Sequence, residues 1–200
     1  MPERAHLVPA RPVPADLVRV AGVVSLLVAL VWRGPVDAAL FGLVLGGLMV
    51  PRLVGAPQPL DAAYGTALVA AAWCGALDVY QAVWWSDLVL HLVATGLVAA
   101  VAYLALVRHG AVTDPRGPDG PRGVVVVTTA LGLGLSVLWE GAEYLGNKYV
   151  DPPIYVEYAD TIEDMAIGGL GAVVAGVALR WWGRRAGAST SASTAGSVAS

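Results

Sequence analysis

Residues 123–146 read GVVVVTTALGLGLSVLWEGAEYLG. The run is long enough to cross a bilayer as a helix, since roughly 20 apolar residues span the hydrocarbon core. Near its end stand two glutamates, Glu140 and Glu143. A helix dipole disfavours anions at the C-terminal end, so these carboxylates need a partner outside their own helix. The stretch therefore predicts a membrane-spanning helix with an acidic group on one face.

The composition of the whole chain is that of an integral membrane protein. Of its 200 residues, 57% are hydrophobic and only 14% are charged, with a mean hydropathy of +0.68, whereas a soluble domain carries about 25% charged residues. The net charge is −3, and no basic patch is interleaved with aromatic residues, which argues against a nucleic-acid partner. Cys74 is the only cysteine, which excludes an intrachain disulfide and a thiolate metal cluster.

Apolar runs predict an all-α bundle of about six membrane-spanning helices. The predicted spans are 17–33, 37–54, 60–78, 87–108, 123–146 and 161–182. The second and third are short and bounded by prolines, and we interpret the first as a retained helix rather than a signal peptide. Residues 1–16 are the predicted N-terminal tail, 17–182 the membrane domain, and 183–200 a low-complexity, disordered C-terminal tail.

The basic residues predict the orientation, because positive charge in short loops marks the cytoplasmic side. Of the 12 arginines and lysines, only Arg33 and Lys148 fall on the outer side when the N-terminus is inside. The others lie on inner segments: Arg4, Arg11, Arg19, Arg52, Arg108, Arg116, Arg122, Arg180, Arg184 and Arg185. We therefore expect a multi-pass protein of the bacterial cell inner membrane with both termini in the cytoplasm.

Ionisable side chains recur at matching depth on three predicted helices. They belong to three stripes with helical spacing: Asp87, His91 and Thr95; Ser136, Glu140 and Glu143; Asp160, Asp164 and Gly168. Helix rise places His91 and Asp164 roughly 6 Å, and Glu140 roughly 9 Å, from the outer ends of their helices. Ionisable groups within a span normally face the bundle interior or a water-filled cavity. We therefore expect the three stripes to converge.

Two of these acids have a second interpretation. Asp87 and Asp160 stand near predicted helix starts, where an acid caps the helix or interacts with its dipole, so helix cap and site residue both stay open for them. That alternative does not extend to Glu140 and Glu143, which lie near a helix end. Crowded carboxylates cannot all ionise without a counter-cation. The pattern predicts a shared site that is neutralised by protons, water or a bound metal.

Three segments resemble the signature of the YjdF-like bacterial inner-membrane proteins, a family of unknown function. They are SDLVLHLVATGLVA (86–99), LWEGAEYLG (138–146) and DTIEDMAIGGLGA (160–172), and the matching residues are Asp87, His91, Gly96, Glu140, Glu143, Asp160, Asp164 and Gly171. A looser similarity extends to the VanZ-like proteins. The loop LGNKYVDPPIYVEYAD (145–160) departs from the family pattern. The resemblance implies a polytopic inner-membrane protein with a shared polar site, and it implies no particular activity.

Carboxylates with one histidine suit a divalent metal such as Mg²⁺, Mn²⁺, Fe²⁺ or Zn²⁺. In this hypothesis the metal ligands are Asp87, His91, Glu140 and Asp164, and the catalytic base is Glu143 or Asp160. A bound dication activates water and orients a phosphate or ester. The corresponding function is a membrane-embedded hydrolase or transferase that acts on a lipid or envelope substrate.

Two other functions fit the same residues. The carboxylates are also suitable relay groups for a proton- or ion-coupled transporter, although the acids cluster at the outer ends and no continuous polar path is visible. A third function is a non-catalytic membrane scaffold or homo-oligomer. Small residues such as Gly42 and Gly46 permit close helix packing, and they are compatible with all three functions. The sequence identifies no substrate and leaves open whether the protein is an enzyme.

Overall fold

The computed structural model describes the backbone of residues 13–117 and 123–198, and side chains as far as Arg185. These residues form seven helices joined by loops, and no strand occurs among them. They are α1 (Ala15–Arg33, with a π-helical last turn at Ala29–Arg33), α2 (Pro35–Val54, interrupted near Leu48), α3 (Gln58–Ala76), α4 (Val79–Ala82), α5 (Trp84–Arg108), α6 (Val124–Tyr149) and α7 (Tyr158–Val198). The all-α prediction is confirmed. Arg4, Arg11, Arg122 and most of the predicted N-terminal tail lie outside the described residues.

Five helical segments in the described part of the chain are long and apolar enough to cross a membrane. These are α1, α2, α5, α6 and residues Tyr158–Arg185 of α7. Helix α3 corresponds to the third predicted span, 60–78, and it forms a helix of 19 residues that does not reach the same apolarity. Its mean hydropathy is lower because its first half carries the polar residues Gln58, Asp61 and Thr66.

The end of α7 differs from the sequence prediction. Disorder was expected from residue 183, and the structure continues the helix through Val198. Several alanines lie in this segment, and alanine has the highest intrinsic helix propensity, so low complexity here is compatible with helix.

The helices pack in two groups that meet where α3 and α2 contact α5. The first group contains α1, α2 and α3, with a core around the fully buried Phe41. The second contains α5, α6 and α7, with a core around Tyr103 and Val124. The chain direction places the start of α5, the end of α6 and the start of α7 at one end of the bundle, called here the acidic end.

Glycines bring α5 and α7 into backbone contact. A Cβ atom on Gly171 would overlap the carbonyl oxygen of Leu92, and one on Gly96 would lie 2.6 Å from that of Gly171. Only glycine permits so close an approach. Because α5 and α7 run in the same direction, this contact also brings together the side chains one to two turns nearer the acidic end.

A buried ionic network holds the first three helices together at the opposite end. The Arg19 guanidinium donates to both carboxylate oxygens of Asp61 at 2.8 Å, to Asp16 at 3.0 Å and to the Leu48 carbonyl at 3.2 Å. Arg52 also pairs with Asp16. Arg19 and Asp61 are only 8% and 7% exposed, so each charge depends on the other for stabilisation.

Candidate metal site

Three predicted site residues lie together at the acidic end. Asp87 and His91 of α5 and Asp164 of α7 each offer a ligand atom, and the three atoms lie within 4.8 Å of one another. His91 Nε2 lies 3.4 Å from Asp87 Oδ1 and 3.7 Å from Asp164 Oδ2. We call these residues the acid–histidine cluster.

Local helix geometry explains how the cluster forms. Helix α5 begins at Trp84, which makes Asp87 its fourth residue and places His91 one turn later on the same face. Val83 occupies the N-cap, so Asp87 does not cap the helix, and its carboxylate is directed at His91. The backbone contact at Gly96 and Gly171 then brings α7, and with it Asp164, against this face.

Three buried polar atoms of α6 and α7 have no hydrogen-bond partner within the described structure. They are Asp164 Oδ1, Glu140 Oε1 and Ser136 Oγ, on side chains whose residues are 3%, 8% and 4% exposed. A buried polar group without a partner costs roughly 1–3 kcal/mol, and more when it is charged. Native proteins rarely leave such atoms unsatisfied. The two carboxylate oxygens are therefore placed to accept a ligand or a proton.

The remaining predicted site residues surround the cluster without joining it. Glu140 lies outside the set of mutually close ligand atoms, although it is near enough to interact electrostatically with His91, Asp87 and Asp160. Glu143 is half-buried and interacts with Glu140, His91 and Asp87. Asp160 is the third residue of α7, is half-buried, and interacts with Asp87 and His91. The structure thus separates a compact group of three candidate ligand residues from three flanking carboxylates.

Tyr80 is a neighbour of the cluster that the sequence pattern did not reveal. It lies on the short helix α4, where its hydroxyl donates to the Ala71 carbonyl at 2.9 Å. Burial raises the pKa of Tyr80, and the nearby negative charge of Asp87 raises it further. Tyr80 therefore remains a neutral donor beside the site. A single tyrosine in a four-residue helix carries no periodic signal, so only the folded chain shows this proximity.

The loop from α6 to α7 is fastened at the same end of the bundle. The Asn147 side chain donates to the carbonyls of Pro152 and Ile154 at 2.9 and 2.7 Å. Tyr155 donates to Glu157 at 2.5 Å, and this hydrogen bond raises the pKa of Tyr155 to about 12. This is the loop in which the sequence departs from the YjdF-like pattern. Asn147, near the end of α6, therefore holds the loop against the bundle.

A sequence profile described as "Predicted membrane protein (DUF2238)" matches residues 18–185. The match contains all three segments that carry the resemblance to the YjdF-like proteins. No curated protein and no solved structure is detectably similar to the chain. The match covers most of the chain and contains every residue of the acid–histidine cluster. The protein is therefore a member of the DUF2238 family of predicted membrane proteins.

Proposed function

We propose that the acid–histidine cluster binds a divalent metal ion and that the protein is a membrane-embedded, metal-dependent hydrolase or transferase. The observation that carries the metal site is the proximity of Asp87, His91 and Asp164 together with the unpartnered buried oxygens of Asp164 and Glu140. Two ligand atoms on one ion, each at about 2.0–2.6 Å, cannot lie more than about 4–5 Å apart. The separations within the cluster satisfy this limit.

The donor set favours an ion that accepts oxygen ligands and one imidazole. Mg²⁺, Mn²⁺ and Fe²⁺ suit such a set, and Zn²⁺ also binds it. A dication offsets the charge of Asp87, Asp164 and Glu140, which one imidazole cannot balance. In this proposal Glu140 is a fourth ligand, or it supports the ligands from beside the cluster.

The chemistry proposed for the site is hydrolysis or transfer of a phosphate or ester group. A bound dication lowers the pKa of its water and orients an anionic substrate. Glu143 and Asp160 flank the cluster and are the candidates for the base. Trp84, Trp85 and Trp139 are exposed around the same end, as in an aromatic belt at the lipid headgroups, which supports a lipid or envelope substrate.

The proposed orientation places the cluster on the outer side of a bacterial inner membrane, with both termini in the cytoplasm. The support is the distribution of arginine. Arg108, Arg180 and Arg184 lie at the end of the bundle away from the cluster, and positively charged segments are retained on the cytoplasmic side.

Metal binding is tested with Asp164→Asn and a matched control, Glu163→Gln, which removes a neighbouring charge from an exposed position of the same helix. We expect Mn²⁺ to bind the purified parent and raise its melting temperature. Asp164→Asn should weaken this binding at least about tenfold, because it removes a charged ligand, and Glu163→Gln should leave it unchanged. Equal Mn²⁺ affinity of Asp164→Asn and the parent would contradict the site. Ion flux in liposomes that requires Asp164 would instead favour the coupled transporter.

A further inference from the structure

A cavity lies at the end of the bundle away from the acid–histidine cluster. It is a groove of about 520 Å³ between the end of α2, the end of α5, the loop after α5 and α7. Arg108, which lines it, stands about 25 Å along α5 from His91. Its apolar walls include Val54, Leu104, Val107 and Trp182. We call this cavity the arginine groove.

The described part of the loop after α5, residues 109–117, closes one side of the arginine groove and is firmly seated. The Tyr103 hydroxyl donates to the Thr113 carbonyl at 2.8 Å, and Tyr103 itself is 2% exposed. Pro115 is fully buried against α7, where a Cβ atom on Gly183 would overlap the Pro115 carbonyl oxygen. These contacts hold the loop in place, so the groove is a built feature of the fold.

Among the described residues that line the groove, the charged side chains leave a net positive charge. Arg116 donates to both oxygens of Asp114, at 3.0 Å from Nε and 2.7 Å from Nη2, and its guanidinium lies 5.4 Å from the Trp182 ring centroid. This pairing lowers the pKa of Asp114, whose negative charge Arg116 then cancels. Arg108 is exposed and makes no hydrogen bond or ion pair with the part of the chain that the structure describes. Arg108 therefore supplies the uncompensated charge.

We propose that the arginine groove binds the phosphate headgroup of an anionic membrane phospholipid. Arg108 pairs with the phosphate, and Val107, Leu104 and Trp182 contact the glycerol and the first methylenes of the acyl chains. A guanidinium forms strong charge-assisted hydrogen bonds with phosphate, and basic pockets between membrane helices hold anionic headgroups in this way. The apolar walls and the position at the end of a membrane span favour a lipid over a soluble anion. This inference does not depend on the proposed metal site.

The test compares the full-length parent with Arg108→Gln in phosphatidylcholine nanodiscs, with and without phosphatidylglycerol. Arg184→Gln is the matched control, because Arg184 is exposed on the neighbouring part of α7 and does not line the groove. We expect the parent to retain phosphatidylglycerol preferentially in native mass spectrometry. Arg108→Gln should lower that preference about fivefold, and Arg184→Gln should preserve it. An unchanged preference in Arg108→Gln, or equal losses in both variants, overturns the proposal.

Three further measurements separate lipid binding from the binding of a soluble anion and from misfolding of a variant. Val107→Trp keeps every charge and fills the groove, so it should lose the same preference, and retention at the parent level would overturn the proposal. The lipid-free melting temperature is measured for each variant, and only variants that melt like the parent are compared.

Inorganic phosphate should not displace phosphatidylglycerol from the parent. If it does so and also stabilises the lipid-free protein, the groove is a site for a soluble anion and the lipid assignment is wrong.

Discussion

At the scale of single residues, the unusual feature is the burial of carboxylate oxygens without partners. Asp164 and Glu140 are among the least exposed acids of the described chain, and each has one oxygen that no described donor reaches. Burying a charge is costly unless it is paired or coordinates a metal. Asp164 and Glu140 therefore need a proton or a bound cation to neutralise them, and in the proposed metal site the ion has this role.

Replacing Glu140 by Gln tests whether Glu140 contributes to the proposed metal site in addition to Asp164. The variant keeps shape and polarity and removes one charge, so we expect Mn²⁺ affinity to fall about 10- to 100-fold, as for loss of a supporting group. Without metal, the melting temperature should rise or stay constant, because repulsion among the carboxylates is relieved. Calorimetric titration and thermal melts with and without chelator measure both effects. An unchanged affinity would show that Glu140 neither binds the ion nor supports its ligands.

At the scale of helices, two different kinds of contact position the two halves of the bundle. Close backbone contact at Gly96 and Gly171 positions α5 against α7, and the ionic network of Arg19 and Asp61 joins α1 to α3. The glycine contact affects the acid–histidine cluster directly. The ionic network lies at the other end of the molecule and affects the stability of the first helical group.

Gly171→Ala should separate α5 from α7. The new Cβ atom would meet the Leu92 carbonyl, and such overpacking costs about 1–3 kcal/mol. We expect a lower melting temperature together with weaker Mn²⁺ binding, since Asp164 moves away from His91. Gly134→Ala is the control, because nothing lies within 4 Å of its added methyl group, and it should be neutral or slightly stabilising. A Gly171→Ala variant as stable as Gly134→Ala would argue against the close contact.

Arg19→Gln should destabilise the protein by about 3–5 kcal/mol, because it leaves the Asp61 carboxylate buried without its partner. Replacing both residues by Leu should recover a large part of this loss, since a buried ion pair is often replaceable by apolar side chains. Unfolding of Arg19→Leu, Asp61→Leu and the double variant in denaturing detergent, analysed as a double-mutant cycle, measures the coupling of the two positions. Additive effects of the two single substitutions would contradict the buried pair.

At the scale of the whole molecule, the sequence predicted what depends on local pattern. Apolar length and helical spacing indicated the helices, the shared face of Asp87 and His91, and the shared face of Asp160 and Asp164, because both properties repeat along the chain. The pattern could not indicate that Arg19 pairs with Asp61, since that contact joins helices far apart in sequence. For the same reason the pattern grouped Glu140 with Asp87, His91 and Asp164. The position of Glu140 relative to these residues depends on the distance from α6 to α5 and α7, which a local pattern does not contain.

The proposed orientation predicts which loops face the outside. In a Cys74→Ala background, a cysteine at Glu157 should react with an impermeant maleimide in intact cells. A cysteine at His109, which is exposed at the other end, should react only after the membrane is opened. Labelling yields before and after permeabilisation measure this difference. The reverse pattern would place the cluster in the cytoplasm and exclude an envelope substrate from outside.

The most direct test of the metal site is magnetic resonance on bound Mn²⁺. The chain contains three histidines, His6, His91 and His109. In protein labelled with ¹⁵N-histidine, electron spin-echo modulation should show one directly coordinated imidazole nitrogen. The coupling should persist when His6 and His109 are both replaced by Gln, and it should vanish in His91→Gln. Mn²⁺ bound without nitrogen coupling, or a coupling that survives His91→Gln, would contradict a metal site at Asp87, His91 and Asp164.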